Sequence, residues 1–451
     1  MEHTIGQPHG RESRSPWSRC KGKQEVRIVP PQSAITANIT IPGSKSLTNR
    51  ALIIAALAEG SSRLEGILRS DDSYWCIESL RQLGVHIEVE EETAVIHGTG
   101  GDWPNREGEL YFGAAGTIAR FLPGALAAGR GTWKLQGNPR LSERPLAPLL
   151  DALSALGADI RYEAEQGRLP LTLHANGLRG GGVSIAGNVS SQFISGLLLA
   201  APYAREPLTV QIEGAVVQRD YVEMTLDMMR AFGIEAEPST DGQSVLVQPG
   251  KYQAQSLALE PDVSTCCYFW SLAAQTNGRV RIEGISDRTR QPDIEILDVL
   301  ERMGCTVVRG DGFIEVAGPP RLKGGFTASM KRWSDQTLTI AALAPFADAP
   351  ITLTDAAHIR HHECDRIAAI CTELGKLGIR VEEHPDGLTV YPGKPQPALL
   401  DTYDDHRVAM ALSLIAVKAD GIRIADPGCV SKTCPDYWDR LSALGVEVTL
   451  S

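Results

Sequence analysis

Several absences narrow the field before any motif is read. Cationic residues are in the minority, 44 Lys and Arg against 55 Asp and Glu for a formal net charge of −11. A chain so balanced makes a poor nucleic-acid binder, which needs a basic face. No apolar run approaches the roughly 18 residues that span a bilayer, so no membrane partner is expected. The nine cysteines are odd in number and contain no CxxC pair. Such a set fits neither a disulfide framework nor a zinc cluster, and a reducing cytosol suits it best. Cys266, Cys267, Cys429 and Cys434 are expected to pack as small hydrophobes. The Gly-x4-Gly-Lys spacing of a phosphate loop is missing as well. Residues 1–24 lack the apolar segment of a secretory signal, and Glu2, Glu12 and Glu25 disfavour a transit peptide. They read as a disordered tail, and the protein as cytoplasmic.

What the chain does contain is repetition. Leu83-Gly84-Val85, Leu156-Gly157-Ala158, Phe232-Gly233-Ile234, Met303-Gly304-Cys305, Leu377-Gly378-Ile379 and Leu444-Gly445-Val446 recur at intervals of roughly 65 to 75 residues. Each is expected to close a helix and open a strand. Ahead of each lies a small-residue-rich apolar stretch with a polar start: Lys45-Ser46, Gly116-Thr117, Ser190-Ser191-Gln192, Asp262-Val263-Ser264, Asp335-Gln336-Thr337 and Asp405-His406-Arg407. These stretches are too apolar for surface helices and predict buried ones. Only their N-terminal ends can meet solvent, and those ends carry unpaired N–H groups and the positive pole of the helix dipole. Several of them aimed into one cleft would bind an anion.

The first unit reads as strands at 26–29 and 37–41, a helix that Ser46 can cap and Gly60 can end, a strand at 62–65, a helix at 74–83, and strands at 87–89 and 94–97. The order βαβαββ can be laid on all six repeats. Asn176-Gly177, Asp241-Gly242, Asp311-Gly312 and Asp386-Gly387 supply the turns between the last two strands. At 451 residues the repeats group as two α/β domains of three units. Residues 43–259 would hold repeats one to three, and residues 25–42 with 260–451 repeats four to six.

Charged and hydrogen-bonding residues gather at the polar starts. In Pro42-Gly43-Ser44-Lys45-Ser46-Leu47-Thr48-Asn49-Arg50 a Lys lies at a helix start and an Arg one turn inside, which suits phosphate or carboxylate; a solvated basic cap is the plain alternative. Arg140 and Arg144 stand four apart, the second fixed beside Pro145. Ser190, Ser191 and Gln192 offer two hydroxyls and an amide. Asp335 could be a simple N-cap or a catalytic acid. Its reading rests on the run from His358 to Arg366, the densest ionisable stretch. That run has no metal-ligand spacing, and its arginines would repel a cation. Glu363 beside guanidinium groups could instead transfer protons while the arginines hold an anion. Lys45, Arg50, Arg120, Arg144, Arg366, Arg407 and Lys432 are together enough cations for two polyanions. Neither a metal nor a cofactor is expected.

Taken together, these segments resemble the 5-enolpyruvylshikimate-3-phosphate synthase family over about residues 26–450, through seven ordered motifs. The resemblance implies an α/β enolpyruvyl transferase fold. Each of its two domains is three βαβαββ repeats with buried parallel helices and outer sheets, an inverse α/β barrel, and the active site lies in the inter-domain cleft. It implies transfer of the enolpyruvyl group of phosphoenolpyruvate to the 5-hydroxyl of shikimate 3-phosphate, with release of phosphate, by a monomer. Carried over by motif, Lys45, Ser46, Arg50, Ser190, Ser191, Gln192 and Asp335 contact shikimate 3-phosphate. Lys45, Gly116, Arg144, Gln192, Arg366, Arg407 and Lys432 hold phosphoenolpyruvate. Asp335 and Glu363, with Lys45, move the protons.

Four positions depart from the family pattern. Gly113-Ala114-Ala115-Gly116-Thr117 replaces Gly-Asn-Ala-Gly-Thr, His362 stands for a Lys, His358 for an Asn, and Gln218 for a Ser before a basic residue. Gln218 and His362 fall where the family binds the acceptor's phosphate. Histidine is only partly charged near neutrality, so acceptor binding is expected to weaken above about pH 7. A related cyclitol acceptor and a non-catalytic paralogue are the competing readings. The UDP-amino-sugar enzyme of the same fold is disfavoured by Lys45-Ser46 and by the lack of a Cys-bearing glycine loop.

Overall fold

The structure, a computed structural model, describes residues 13–451. The chain divides into two compact units. One takes in the described residues up to Trp17 together with Lys45–Val216 and Thr225–Ala258; the other comprises Ser18–Ser44, Val217–Met224 and Leu259–Ser451.

Within the first unit, helices Lys45–Leu57, Gly116–Ala128 and Ser191–Ala200 are buried almost throughout. Their apolar residues run around the whole circumference, so no face is suited to water. Two of them approach closely enough for backbone contact. A Cβ on Gly196 would fall 1.9 Å from the Arg120 carbonyl, and one on Gly124 would fall 2.3 Å from that of Gly196. Only glycine fits such a crossing. In the second unit Val263–Thr276, Thr337–Leu343 and His406–Ala416 form the corresponding core.

Each unit carries three separate four-stranded sheets. In every sheet one parallel pair is extended by antiparallel partners. No sheet continues into the next among the described residues. The strands therefore close no barrel, and "inverse barrel" describes only helices enclosed by sheets.

The repeat phrases fall where expected. Gly84, Gly157, Gly233, Gly304, Gly378 and Gly445 all have positive φ, between 75° and 112°, and each follows a helix and precedes a strand. This is the left-handed residue that stops a helix, where glycine bears no Cβ penalty.

Other expectations need correction. The two earliest strands do not belong to the first repeat. Thr36–Thr40 pairs in parallel with Arg279–Glu283, and Glu25–Val29 lies between Arg423–Ala425 and Glu447–Leu450. The first repeat borrows its edge strand from Ser256–Ala258, parallel to Glu59–Glu65. Gly60 lies in that strand instead of ending a helix. Asn176-Gly177 is no hairpin turn: Leu171–Asn176 and Gly181–Ala186 belong to different sheets. Of the expected disordered tail, residues 1–12 lie outside the described residues, while within 13–24 Ser15 and Cys20 are buried and 21–24 are exposed. The Ser15 N–H donates to Asp71 at 2.8 Å, the Ser13 carbonyl accepts from the Trp75 indole at 2.6 Å, and Cys20 is buried. The buried partners overrode the polar composition.

Candidate active site

In the first unit the functional candidates stand at helix starts. Lys45 is the first residue of its helix, 3.7 Å from Asp72. Ser46 therefore lies inside the first turn and is not the N-cap; its carbonyl accepts from Arg50 Nη1 at 2.9 Å. Arg50 is buried over the Phe121 ring and also donates to Thr225 Oγ1 at 2.8 Å and Ser195 Oγ at 3.3 Å. These partners fix its position.

Gly116 opens the second buried helix, and Arg120, one turn in, donates back to the Gly116 carbonyl at 2.9 Å. A Cβ on Gly116 would fall 2.6 Å from Arg144 Nη1 and 2.7 Å from Arg120 Nη1. Two buried guanidinium groups thus converge on one helix N-terminus, where the dipole adds to their charge. Arg144 is set by the short helix Pro139–Glu143, which Asn138 caps through Leu141 N–H at 2.8 Å. Arg140, on the same helix, pairs on the surface with Glu143. At the third helix start, Ser190 Oγ accepts from the Gln192 N–H at 3.3 Å and Ser191 is buried.

The second unit brings the acids together. Arg366 opens the helix Arg366–Lys376 and is 1% exposed. Its Nη1 lies 2.8 Å from Asp335 Oδ1, its Nη2 2.9 Å from Glu363 Oε2, and its Nε 2.7 Å from Asp405 Oδ2. Arg407 Nη2 takes the other Asp335 oxygen at 2.8 Å, and Lys432 Nζ stands 3.6 Å from Glu363 Oε1. Asp335 is not an N-cap. It sits in the 3-10 turn Ser334–Gln336 that leads into the buried helix, and no side chain caps that turn.

Burial opposes the charge on Arg366, yet Asp405, Glu363 and Asp335 outweigh it and hold the guanidinium above its ordinary range. Arg407 is likewise raised against burial, by Asp335 first. Both stay charged at any working pH.

Around this core lie the departures. His362 Nδ1 is 3.0 Å from Arg366 Nη1 and 3.8 Å from Asp335. Gln218, with a φ of 51°, donates from Nε2 to Ser334 Oγ at 3.1 Å, and that hydroxyl meets His358 Nε2 at 2.7 Å. Burial holds His358 below its ordinary range.

Sequence reasoning missed three participants. Asp405 was visible only as a helix start, though it caps that helix through the Arg407 N–H at 2.9 Å while holding Arg366. Asp293 is fully buried, accepts from Gln336 Nε2 at 2.7 Å and from Ser264, and is pushed up to about 6 by burial and by Asp335. Ser264 also receives Arg407 Nη2 at 3.4 Å. The Gln291-Pro292-Asp293 stretch carries no motif that marks it.

Two α/β units of three repeats, one with cations at buried helix starts and the other with two carboxylates gripped by arginine, define a group-transfer enzyme for anionic substrates. The chain belongs to the EPSP synthase (3-phosphoshikimate 1-carboxyvinyltransferase) family, whose sequence profile matches residues 29–441. It is 54% identical to 3-phosphoshikimate 1-carboxyvinyltransferase 2 of Halalkalibacterium halodurans, over 97% of this chain and 98% of that one. It is 44% identical to the 3-phosphoshikimate 1-carboxyvinyltransferase of Nostoc punctiforme, over 90% and 96%. Among solved structures it is similar to EPSP synthase from Acinetobacter baumannii, with a TM-score of 0.80 at 26% identity, covering 95% of this chain and all of the other. The family transfers the enolpyruvyl group of phosphoenolpyruvate to shikimate 3-phosphate in aromatic biosynthesis. Among the described residues no helix is long and apolar enough to cross a membrane.

Proposed function

We propose that both clusters serve that one transfer, with Asp335 and Glu363 as its proton-handling pair. The observation that carries this reading is the single buried guanidinium of Arg366, bonded to both acids at 2.8 and 2.9 Å. An arginine so placed keeps two carboxylates close together without mutual repulsion, and its neighbours Arg407 and Lys432 supply the charge that an anionic substrate needs.

In the addition step the acceptor's 5-hydroxyl oxygen bonds to C2 of phosphoenolpyruvate while Asp335 takes the hydroxyl proton. The methylene carbon takes a proton carried by the Lys45 ammonium and directed by Glu363, and becomes a methyl group in the tetrahedral adduct. Elimination returns a methyl proton to the protein and expels phosphate. Lys45, Gly116, Arg144, Gln192, Arg366, Arg407 and Lys432 hold phosphoenolpyruvate. Lys45, Ser46, Arg50, Ser190, Ser191, Gln192, Gln218, Asp335 and His362 hold the acceptor. The enzyme acts as a cytoplasmic monomer without a nucleic-acid partner, and the transfer itself uses neither a metal nor a cofactor.

The test is phosphate release by the purified protein with phosphoenolpyruvate and either shikimate 3-phosphate or unphosphorylated shikimate. Turnover confined to the phosphorylated acceptor supports the assignment. Silence with it, or preference for another cyclic acceptor, would mean that Gln218 and His362 mark a changed substrate.

A further inference from the structure

The sheet that opens the first unit carries a cluster the transfer reaction does not use. His86 and His97 face each other across the antiparallel strands His86–Glu90 and Thr93–Thr99, and Glu88 lies two residues along from His86. The two-residue period of a strand puts all three on the same side. The other side carries Ile87, Ala94 and Ile96 into the core. The imidazole centroids are 4.9 Å apart, tilted by 34°, and His86 Nε2 is 3.0 Å from Glu88 Oε1. One ligating atom from each residue lies within 4.8 Å of the other two.

We propose that His86, Glu88 and His97 bind a late transition-metal dication on the solvent face of this sheet. Two imidazoles and one carboxylate form a donor set that suits Zn²⁺, Cu²⁺ or Ni²⁺, whereas Mg²⁺ and Ca²⁺ require all-oxygen shells. Three protein ligands leave at least one position for water, so the ion is exchangeable. A partner for the far side of one ring is already in place: Ser61, directly across the ladder from His97, puts Oγ 2.8 Å from His97 Nδ1. With Nδ1–H donating to that hydroxyl, Nε2 is the nitrogen offered to metal, the arrangement by which neighbouring groups fix a ligating imidazole. The basic residue on this face, Arg63, opposes Val95 and is tied to Glu65 at 2.9 Å. It does not neutralise the site.

The test is calorimetric titration of the metal-stripped full chain with ZnCl₂ and CuCl₂ in a non-chelating buffer. The expected result is binding of one ion per chain, Cu²⁺ tighter than Zn²⁺, and no heat from MgCl₂. H86A and H97A should abolish the high-affinity event, and S61A should weaken it roughly tenfold. The Cu²⁺ complex should show electron-spin hyperfine coupling to two nitrogens, reduced to one in either histidine variant. All four residues are remote from the proposed catalytic roles, so turnover of the stripped variants should match that of the parent. Absence of binding, or binding and spectra unchanged in the H86A/H97A double variant, would overturn the proposal.

Discussion

Arg366 Nε meets Asp405 Oδ2 across 2.7 Å, with the two side chains 2% and 0% exposed. This contact fixes the plane of the guanidinium. With Nε committed to Asp405, the two terminal nitrogens can address Asp335 and Glu363. Removing Asp405 leaves a buried cation short of a partner and takes away the cap of the helix His406–Ala416. Loss of one member of a buried pair costs about 3–5 kcal/mol. Chemical denaturation of Asp405→Ala should show that loss, and Asp405→Asn, which can keep the cap, a smaller one.

Asp335 is bonded to two arginines, so its replacement tests chemistry and electrostatics together. Asp335→Asn keeps the shape and removes the base, and kcat should fall roughly 10²–10⁴-fold. Asp335 also balances two buried guanidinium groups, so the thermal midpoint should fall as well, though less than in Asp405→Ala, which also loses a helix cap. Near-normal turnover would refute the role given to Asp335.

At the other cluster, Gly116→Ala places a methyl group where Arg144 Nη1 and Arg120 Nη1 now lie, 2.6 and 2.7 Å away. One or both guanidinium groups must move. Loss of one charge-assisted hydrogen bond, about 1.5–3 kcal/mol, corresponds to a roughly 10- to 100-fold rise in KM. The rise should be seen for phosphoenolpyruvate and be much smaller for the acceptor in steady-state kinetics.

Asp293 makes a pH prediction with a definite sign. Its carboxyl is raised from 3.8 to about 6, chiefly by burial and then by Asp335. The folded state therefore holds its proton more tightly than the unfolded chain. The stabilisation from this residue is complete below about pH 4 and lost as pH rises through about 6. Asp293→Asn should be more stable than the parent at pH 7, and the difference should vanish at pH 4. Denaturant midpoints at the two pH values check this; equal differences at both would count against it.

The sequence revealed the helices and repeats more readily than the pairing of strands. A helix stop is local: a glycine at positive φ writes it into three residues, and all six were readable. Strand partnership is not local. Nothing in Glu25–Val29 states that it will lie beside Glu447–Leu450, and nothing in Ser256–Ala258 names Glu59–Glu65. The same limit governed the site. Arg366, Arg407, Asp335 and Glu363 announced themselves by charge next to apolar helices. Asp293 and the Ser195–Thr225 hydroxyls that hold Arg50 are ordinary residues in their own segments, and only tertiary packing gives them work.

The strand Glu25–Val29, held on both sides by the last strands of the chain, also bears on synthesis. The Gln24 N–H reaches the Ser451 carbonyl at 2.7 Å, so the second unit is closed by two segments far apart in the sequence. The strands of the first unit all lie between residues 59 and 258, and its sheets can form while the remainder is still being made. Non-local pairing of this kind is slow and leaves edges open meanwhile. A nascent chain released between residues 425 and 447 would carry complete sheets in its first unit. Its second unit would present Glu25–Val29 with one edge bare, ready to accept an extended segment from another polypeptide.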